Sequence, residues 1–359
     1  MKPDEKIPKP YVVFTGDAPD YKQAKVACGV VEWRPEYVVG QFYPEMFNTG
    51  LKFDHITQFD SLKAAKDAGA KTLLIGYSPY ERDLPNNFVA VVNEALLLGL
   101  NVASGLHGKL SEDDRFLNPT YSMYASGDDI PRIYDFRHRE QIYPKGNGLK
   151  RTGLRLLTVG TDCACGKKFT ALSISRALDL SYAKNTFRST GQTGFLISES
   201  GINNDTIEAD FLSGAAEWLS PDNDADHWDI IEGQGALSHP SFCGGSMSLI
   251  YGSQPDLIVM CHDMYRDTQR GVTRPIPKLS DEIELVMNAA RLVNPNAELG
   301  AISLFGPSQP KDQECSCDEM SRMYGVPVFN PAEPNDMFFD FIEVMQRMAF
   351  ANNSGENDG

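Results

Sequence analysis

The chain has 359 residues, of which 33 are Lys or Arg and 49 are Asp or Glu, a formal net charge of −16. With 42% hydrophobic and 23% charged residues, it has the composition of a globular protein with a sizeable core, and its length suggests two domains or three. So acidic a chain is a poor general nucleic-acid or anionic-membrane binder. No run approaches the ~18–20 apolar residues of a membrane span.

Residues 1–10 read as a polar, Pro-rich tail without an apolar signal region. Alternation then begins. Strands are expected at 11–15, 37–42, 71–76 and 101–104, with helices at 21–31, 61–68 and 86–98, the last opened by Pro85. Strands alternating with helices indicate parallel βαβ units, so residues 11–106 form a nucleotide-fold-like half. Residues 107–150 are irregular and end in Lys145-Gly146-Asn147-Gly148, the expected boundary between domains 11–148 and 149–350. The second alternation has strands at 154–159, 193–197, around 229–231, 256–261 and 299–304. Its helices are expected at 167–180, 206–218, 280–292, 313–324 and 336–348. Residues 351–359 carry almost no apolar content and are expected to be disordered.

The sharpest signal is LLTVGTDCACGKKFT, residues 156–170, between a strand and a helix. Glycines let a backbone curl so that successive N–H groups face an anion, and a helix N-terminus adds partial positive charge. Gly160, Thr161, Asp162, Cys163, Ala164, Cys165, Gly166, Lys167 and Lys168 are the expected phosphate cradle. A strand–helix turn with an exposed lysine is the bland alternative. The loop departs from G-x-x-x-x-G-K-[ST]: Thr161 stands where the first glycine belongs, and Lys168 replaces the hydroxyl that binds Mg²⁺. Thr170 lies two places on. The pattern suits a diphosphate better than Mg–ATP. G-T-D-x-x-x-G-K also resembles the dethiobiotin-synthetase-like branch of P-loop proteins. Asp162 is then either a contact to substrate or metal, or an Asx-turn cap.

Gln192 and Thr193, in a glycine-flanked polar loop, are candidate ligand contacts or an ordinary turn. Asp205, Glu208 and Asp210 suit a helix start. Glu232 ends an apolar strand, where ligands of open α/β sheets bind, and is a candidate general base or a holder of metal or amine. His239 follows in a loop. His262 and Asp263 end another strand. Arg266, Arg270, Arg274 and Lys278 recur every four residues, a local cationic segment able to meet an anionic ligand. Seven cysteines are too sparse for a disulfide framework, which indicates a reducing cytoplasm. The C-x-C pairs at 163/165 and 315/317 lack zinc spacing. Loop N–H groups would lower the Cys163 and Cys165 pKa values and leave a nucleophilic role open.

VGTDCACGKKFTAL, STGQTGFLI, the 205–217 stretch DTIEADFLSGAAE, IEGQGALSHPSF and GSQPDLIVMCHD, in this order, resemble the D-glutamate N-acetyltransferase family. LLIGYSP and LPNNFVAVVNEALLLGLNVASGLHGKLS extend the likeness over roughly residues 11–345. The resemblance implies an α/β chain with an N-terminal Rossmann-like parallel-sheet domain and a C-terminal P-loop NTPase-like one. It implies acetyl transfer from acetyl-CoA to the amine of D-glutamate in D-amino-acid catabolism. CoA carries a diphosphate for the loop, and a dicarboxylate would suit Arg266 and Arg274, with Gln192, Thr193 and His239 as further substrate contacts. The amine must lose a proton, with Glu232 first and His262–Asp263 next as catalytic candidates. No resident metal is expected, and a homodimer or higher homo-oligomer is. The alternatives are an ATP-dependent ligase or kinase of the dethiobiotin-synthetase type, which would use Mg²⁺, and a non-enzymatic nucleotide sensor. Residue chemistry alone leaves the acetyltransferase and the ATP-dependent ligase or kinase nearly level.

Overall fold

The computed structural model describes residues 1–2, 5–47, 49–77, 84–116, 130–305 and 317–355. Several expectations fall on other residues. They are the tail at 3–4 and 356–359, Ser78 and Pro79, residues 117–129 of the irregular stretch, and the helix start 313–316 with Cys315.

Two compact units emerge: residues 1–142 with 192–199, and residues 143–191 with 200–359. The first holds strands β1 (Tyr11–Phe14), β2 (Val38–Phe42), β3 (Gln58–Phe59), β4 (Thr72–Ile75), β5 (Asn101–Ser104) and β6 (Ile133–Asp135). Their order is β3-β2-β1-β4-β5-β6, all parallel, the order of a dinucleotide-binding sheet. β1 (YVVF) and β4 (TLLI) are buried throughout, as strands covered on both faces must be. Val12, Phe14, Leu73 and Ile75 meet α2 (Leu62–Asp67) and α3 (Asn86–Leu97). Tyr11, Val13 and Leu74 meet α1 (Lys25–Trp33) on the other face. Ser61 caps α2, its side chain accepting from Ala64 N at 3.3 Å.

The second unit orders its strands β8 (Asn185–Arg188), β9 (Trp228–Ile231), β7 (Leu154–Gly160), β10 (Leu257–Asp263), β11 (Glu298–Phe305) and β12 (Val328–Phe329), again all parallel. Alternate residues serve opposite faces. Leu154, Leu156, Leu257 and Val259 join α4 (Lys167–Leu180) and α10 (Asp336–Ser354). Leu157, Val159, Ile258 and Met260 join α6 (Leu212–Leu219), α7 (Cys243–Ser253) and α8 (Leu279–Arg291). The chain leaves β7 towards β9 and β8, then crosses to β10, β11 and β12. The carboxyl end of β7 is therefore the switch point where such sheets bind ligands. A further helix, α9 (Cys317–Tyr324), precedes β12.

Several expectations are corrected. Thr193–Ile197, read as a strand, lies in helix α5 (Gln192–Ser198), because a short apolar run fits a buried helix as well as a strand. Phe195 and Leu196 are buried in the first unit, with Phe195 stacked on Phe136 at 6.4 Å. The strand of that region is the half-buried β8. The helix expected over 206–218 is two 3₁₀ turns followed by α6. Residues 5–10 are no free tail: Ile7 is buried, and Pro8 O accepts from Thr72 Oγ1 at 2.6 Å. The units divide at Ile142/Tyr143 rather than 148/149. The Glu217 carboxylate takes N–H bonds from Asn147 and Gly148 at 2.8–3.0 Å and pins the Lys145–Gly148 stretch to the second unit. Residues 351–354, expected disordered, continue α10 to its left-handed cap Gly355.

Candidate active site

The loop 160–167 sits at the carboxyl end of β7. Gly160 pairs with Cys261 of β10, and Thr161 N donates to Cys261 O at 3.1 Å. Ala164 and Gly166 adopt left-handed φ values of 52° and 96°, which turn the chain back into α4. At Gly166 a Cβ would lie 2.9 Å from Phe305 Cδ2, so close approach and backbone sign both require glycine. The turn aims the N-terminus of the 14-residue α4 at the loop's concave side.

Lys167 is buried, with Nζ donating to Asp162 O at 2.6 Å and lying 3.6 Å from Cys165 Sγ. Burial pulls its pKa down, but the sulfurs of Cys165, Cys163 and Cys261 and the Asp162 carboxylate more than offset that, so it stays charged at neutral pH. Asp162 is fully buried and serves the loop. Its Oδ1 accepts from Cys163 N at 2.7 Å, an Asx contact. Its Oδ2 accepts from Arg266 Nη1 at 2.7 Å and Arg270 N at 2.8 Å. Arg266 also donates to the carbonyls of Cys163 (2.8 Å) and Ala164 (3.0 Å) and to Asp263 Oδ2 (3.2 Å from Nε). One guanidinium thus ties the loop to the end of β10. These bonds make Arg266 a clamp on the loop rather than an open receptor for a substrate carboxylate.

Thr161 Oγ1 lies 2.9 Å from His262 Nδ1. Burial holds the His262 pKa below its usual value, with Asp263 opposing and Arg266 reinforcing, so the ring is neutral at neutral pH. Asp263 is spent on Arg266 and on Tyr265 N at 3.1 Å. His239 is buried with both nitrogens engaged. Nε2 lies 3.1 Å from Arg270 O and Nδ1 accepts from Ser241 N at 3.1 Å, which fixes a neutral Nε2–H ring. Glu232, at the end of β9, accepts from Thr190 N at 3.1 Å through Oε2, while its carbonyl takes Thr190 Oγ1 at 2.6 Å. Gln234 Nε2 donates to the same hydroxyl at 3.0 Å. Lys168 is half-buried in the first turn of α4. The Thr170 hydroxyl faces the sheet, bonded to Gly166 O at 3.0 Å and Ser303 Oγ at 2.8 Å, so it does not replace the missing Mg²⁺ hydroxyl. Burial raises the Cys163 pKa and pushes Cys261 up to about 12. For Cys163 this reverses the expected lowering, because loss of water outweighs Lys167. Gln192 and Thr193 belong to the first unit. Among the described residues, no group of three His, Cys, Asp or Glu is placed to hold a metal. No described helix is long and apolar enough to cross a membrane.

Sequence reasoning missed Glu282 and Gln269. Glu282 is 1% exposed on α8, and Ser238 N lies 3.4 Å from its Oε1. Gln269, equally buried, donates to Ser238 Oγ at 3.2 Å. A usable signal existed: Leu279, Glu282, Val286 and Ala290 fall on one helical stripe, so a carboxylate occupies an apolar face.

Residues 144–337 match a family model described as a domain of unknown function, a P-loop domain, and residues 46–122 match one described as a Rossmann-like domain. A protein of Pseudoalteromonas named D-glutamate N-acetyltransferase is 41% identical over 90% of this chain and 96% of its own length. One of the same name from Tritonibacter scottomollicae is 37% identical over 90% and 95%. The crystal structure of a DUF1611 family protein from Anabaena variabilis superposes with a TM-score of 0.78 at 23% identity, over 94% of this chain and all of that one. That likeness is one of fold. With the loop, the switch point and the two parallel sheets in place, the chain belongs to the DUF1611 family of a Rossmann-like and a P-loop domain, together with the D-glutamate N-acetyltransferases it matches over nine-tenths of its length.

Proposed function

We propose that this chain is an acyltransferase that moves the acetyl group of acetyl-CoA to the amine of D-glutamate, releasing CoA thiol. The observation that carries the reading is the loop Gly160–Lys167. It combines two left-handed residues, a helix N-terminus and a charged, buried lysine, with no Mg²⁺-ligating hydroxyl at Lys168 or Thr170. Such a cradle suits a coenzyme diphosphate that needs no metal-assisted cleavage. The names of the two relatives supply the acceptor. Arg274 is exposed and spends one Nη1 on Ser238 O at 3.2 Å. Its remaining N–H donors suit a substrate carboxylate. Glu232 shapes the turn beside the loop, and His262, neutral and bonded to Thr161, flanks it. The six described cysteines are free thiols, in keeping with a cytoplasmic enzyme, and a homo-oligomer is part of the same reading.

The test is thiol release on mixing purified protein, acetyl-CoA and D-glutamate. Release that depends on both substrates supports the reading, and Lys167→Met should lower kcat/KM for acetyl-CoA by on the order of 10²-fold. Mg²⁺-dependent ADP formation without thiol release would favour an ATP-dependent ligase instead.

A further inference from the structure

The turn after β9 and the loop after β10 enclose a polar cluster behind the phosphate loop. Ser238 is half-buried. Its backbone N lies 3.4 Å from Glu282 Oε1, and its hydroxyl accepts from Gln269 Nε2 at 3.2 Å. The hydroxyl is also near enough to favour the charged form of the Glu282 carboxyl. On the far side of each partner stands an acceptor without a donor: Glu282 Oε2 and Gln269 Oε1 have no hydrogen-bond partner among the described residues. Burying such oxygens is costly, and Glu282 sets a carboxylate among the buried apolar residues of α8. The cluster is tied to the phosphate loop, since Arg270, next to Gln269, donates its N–H to Asp162. Arg274 Nη1 holds the Ser238 carbonyl at 3.2 Å.

We propose that Ser238 and Glu282 form the proton acceptor for the substrate amine, with the Ser238 hydroxyl meeting the ammonium and Glu282 receiving the proton behind it. The inference rests on the acetyltransferase reading and assigns it an ammonium subsite. Ser238 Oγ accepts one N–H of the ammonium and passes its own proton to Glu282 as it takes the ammonium's. The freed nitrogen lone pair attacks the thioester carbonyl, forming C–N while C–S breaks. The amine's second proton goes to the departing thiolate, which leaves as CoA thiol. A proton on Glu282 removes the cost of a buried carboxylate. Burial pushes the Glu282 carboxyl up, against hydrogen bonds from Ser238 and Leu237 N–H and the nearby Lys167 charge, so it is suited to hold a proton. The charged groups around the pair are Lys167 and Arg274, with neutral His239 beside Ser238. Glu282 acts through Ser238 and is a positioning residue in that sense.

Glu282→Gln keeps size and shape, and Ser238→Ala removes the hydroxyl alone. Acetyl transfer at pH 7 should fall roughly 10²-fold in E282Q, lose the acidic limb of the wild-type pH profile, and recover as pH approaches the pKa of the free amine. Calorimetry with D-glutamate and with glutarate, the same dicarboxylate without the amine, reads the ammonium contact without turnover. Both variants should weaken D-glutamate about tenfold and leave glutarate within twofold. Wild type that binds D-glutamate tighter than glutarate but releases no thiol would end the acetyl-transfer reading and leave the ammonium contact standing. The subsite is overturned if E282Q and S238A keep the wild-type rate, pH limb and D-glutamate affinity, if both ligands weaken alike, or if wild type does not distinguish them.

Discussion

At the scale of single residues, what separates this loop from a nucleotide-hydrolysing one is a pair of hydroxyl positions. Lys168 follows Lys167 where a serine or threonine would reach Mg²⁺, and Thr170 turns into the sheet against Ser303. Lys167 and its glycines were legible because they lie next to one another in sequence. Glu282 was not, since its meaning depends on Ser238 and Gln269, which come from other segments. Its raised pKa has a consequence for stability. The folded state holds the proton to higher pH than the unfolded chain, whose value is about 4.3. The carboxyl therefore costs nothing below that pH and destabilises the fold as pH rises through its folded pKa. E282Q should melt above wild type at pH 8, with the gap closing towards pH 4. Thermal melts across that range check it, and a variant that melts lower than wild type at pH 8 would show the carboxylate to be stabilising.

At the scale of elements, the loop is held by β10 through Thr161 N and by Arg266, and the turn after β9 lies very close to it. A Cβ at Gly233, just after β9, would lie 1.7 Å from Thr158 O and 3.1 Å from Lys167 Cδ. Lys167 belongs to the phosphate cradle and Thr158 to β7, the strand that leads into it. Gly233→Ala should force β7 and β9 apart and cost at least ~1–3 kcal/mol, seen as a lower urea midpoint together with weaker CoA binding. Unchanged stability would mean the two strand ends are loosely joined. Strands with continuous apolar runs, such as YVVF and TLLI, were legible from burial on both faces. α5 was not: GFLI alone fits either a buried strand or a buried helix turn, and only packing on Phe136 decides it. α7 (CGGSMSLIYGS) hid behind glycine and serine, which have poor helix propensity, and tertiary contacts from Leu249 and Ile250 hold it.

At the scale of the whole molecule, the chain is two parallel sheets in sequence order, except that residues 192–199 return to the first unit. Phe195 and Leu196 share a core there with Ala103, Tyr134 and Phe136. At roughly 1.5–3 kcal/mol for each such side chain, residues 1–142 alone should be markedly less stable than the same unit carrying Gln192–Ser198 on a flexible linker. Urea titration of the two fragments compares them, and equal midpoints would deny α5 that role. No composition or local pattern marks this return, whereas the two-sheet organisation itself followed from the alternation of strands and helices. The phosphate loop belongs to the second unit, and the reading of the protein as an acetyltransferase rests on what that loop holds. A crystal structure of the intact chain with CoA decides this. The diphosphate is expected within hydrogen-bond distance of the Ala164–Lys167 amides and Lys167 Nζ. A coenzyme ordered elsewhere, with that loop contacting none of its phosphates, would contradict the reading.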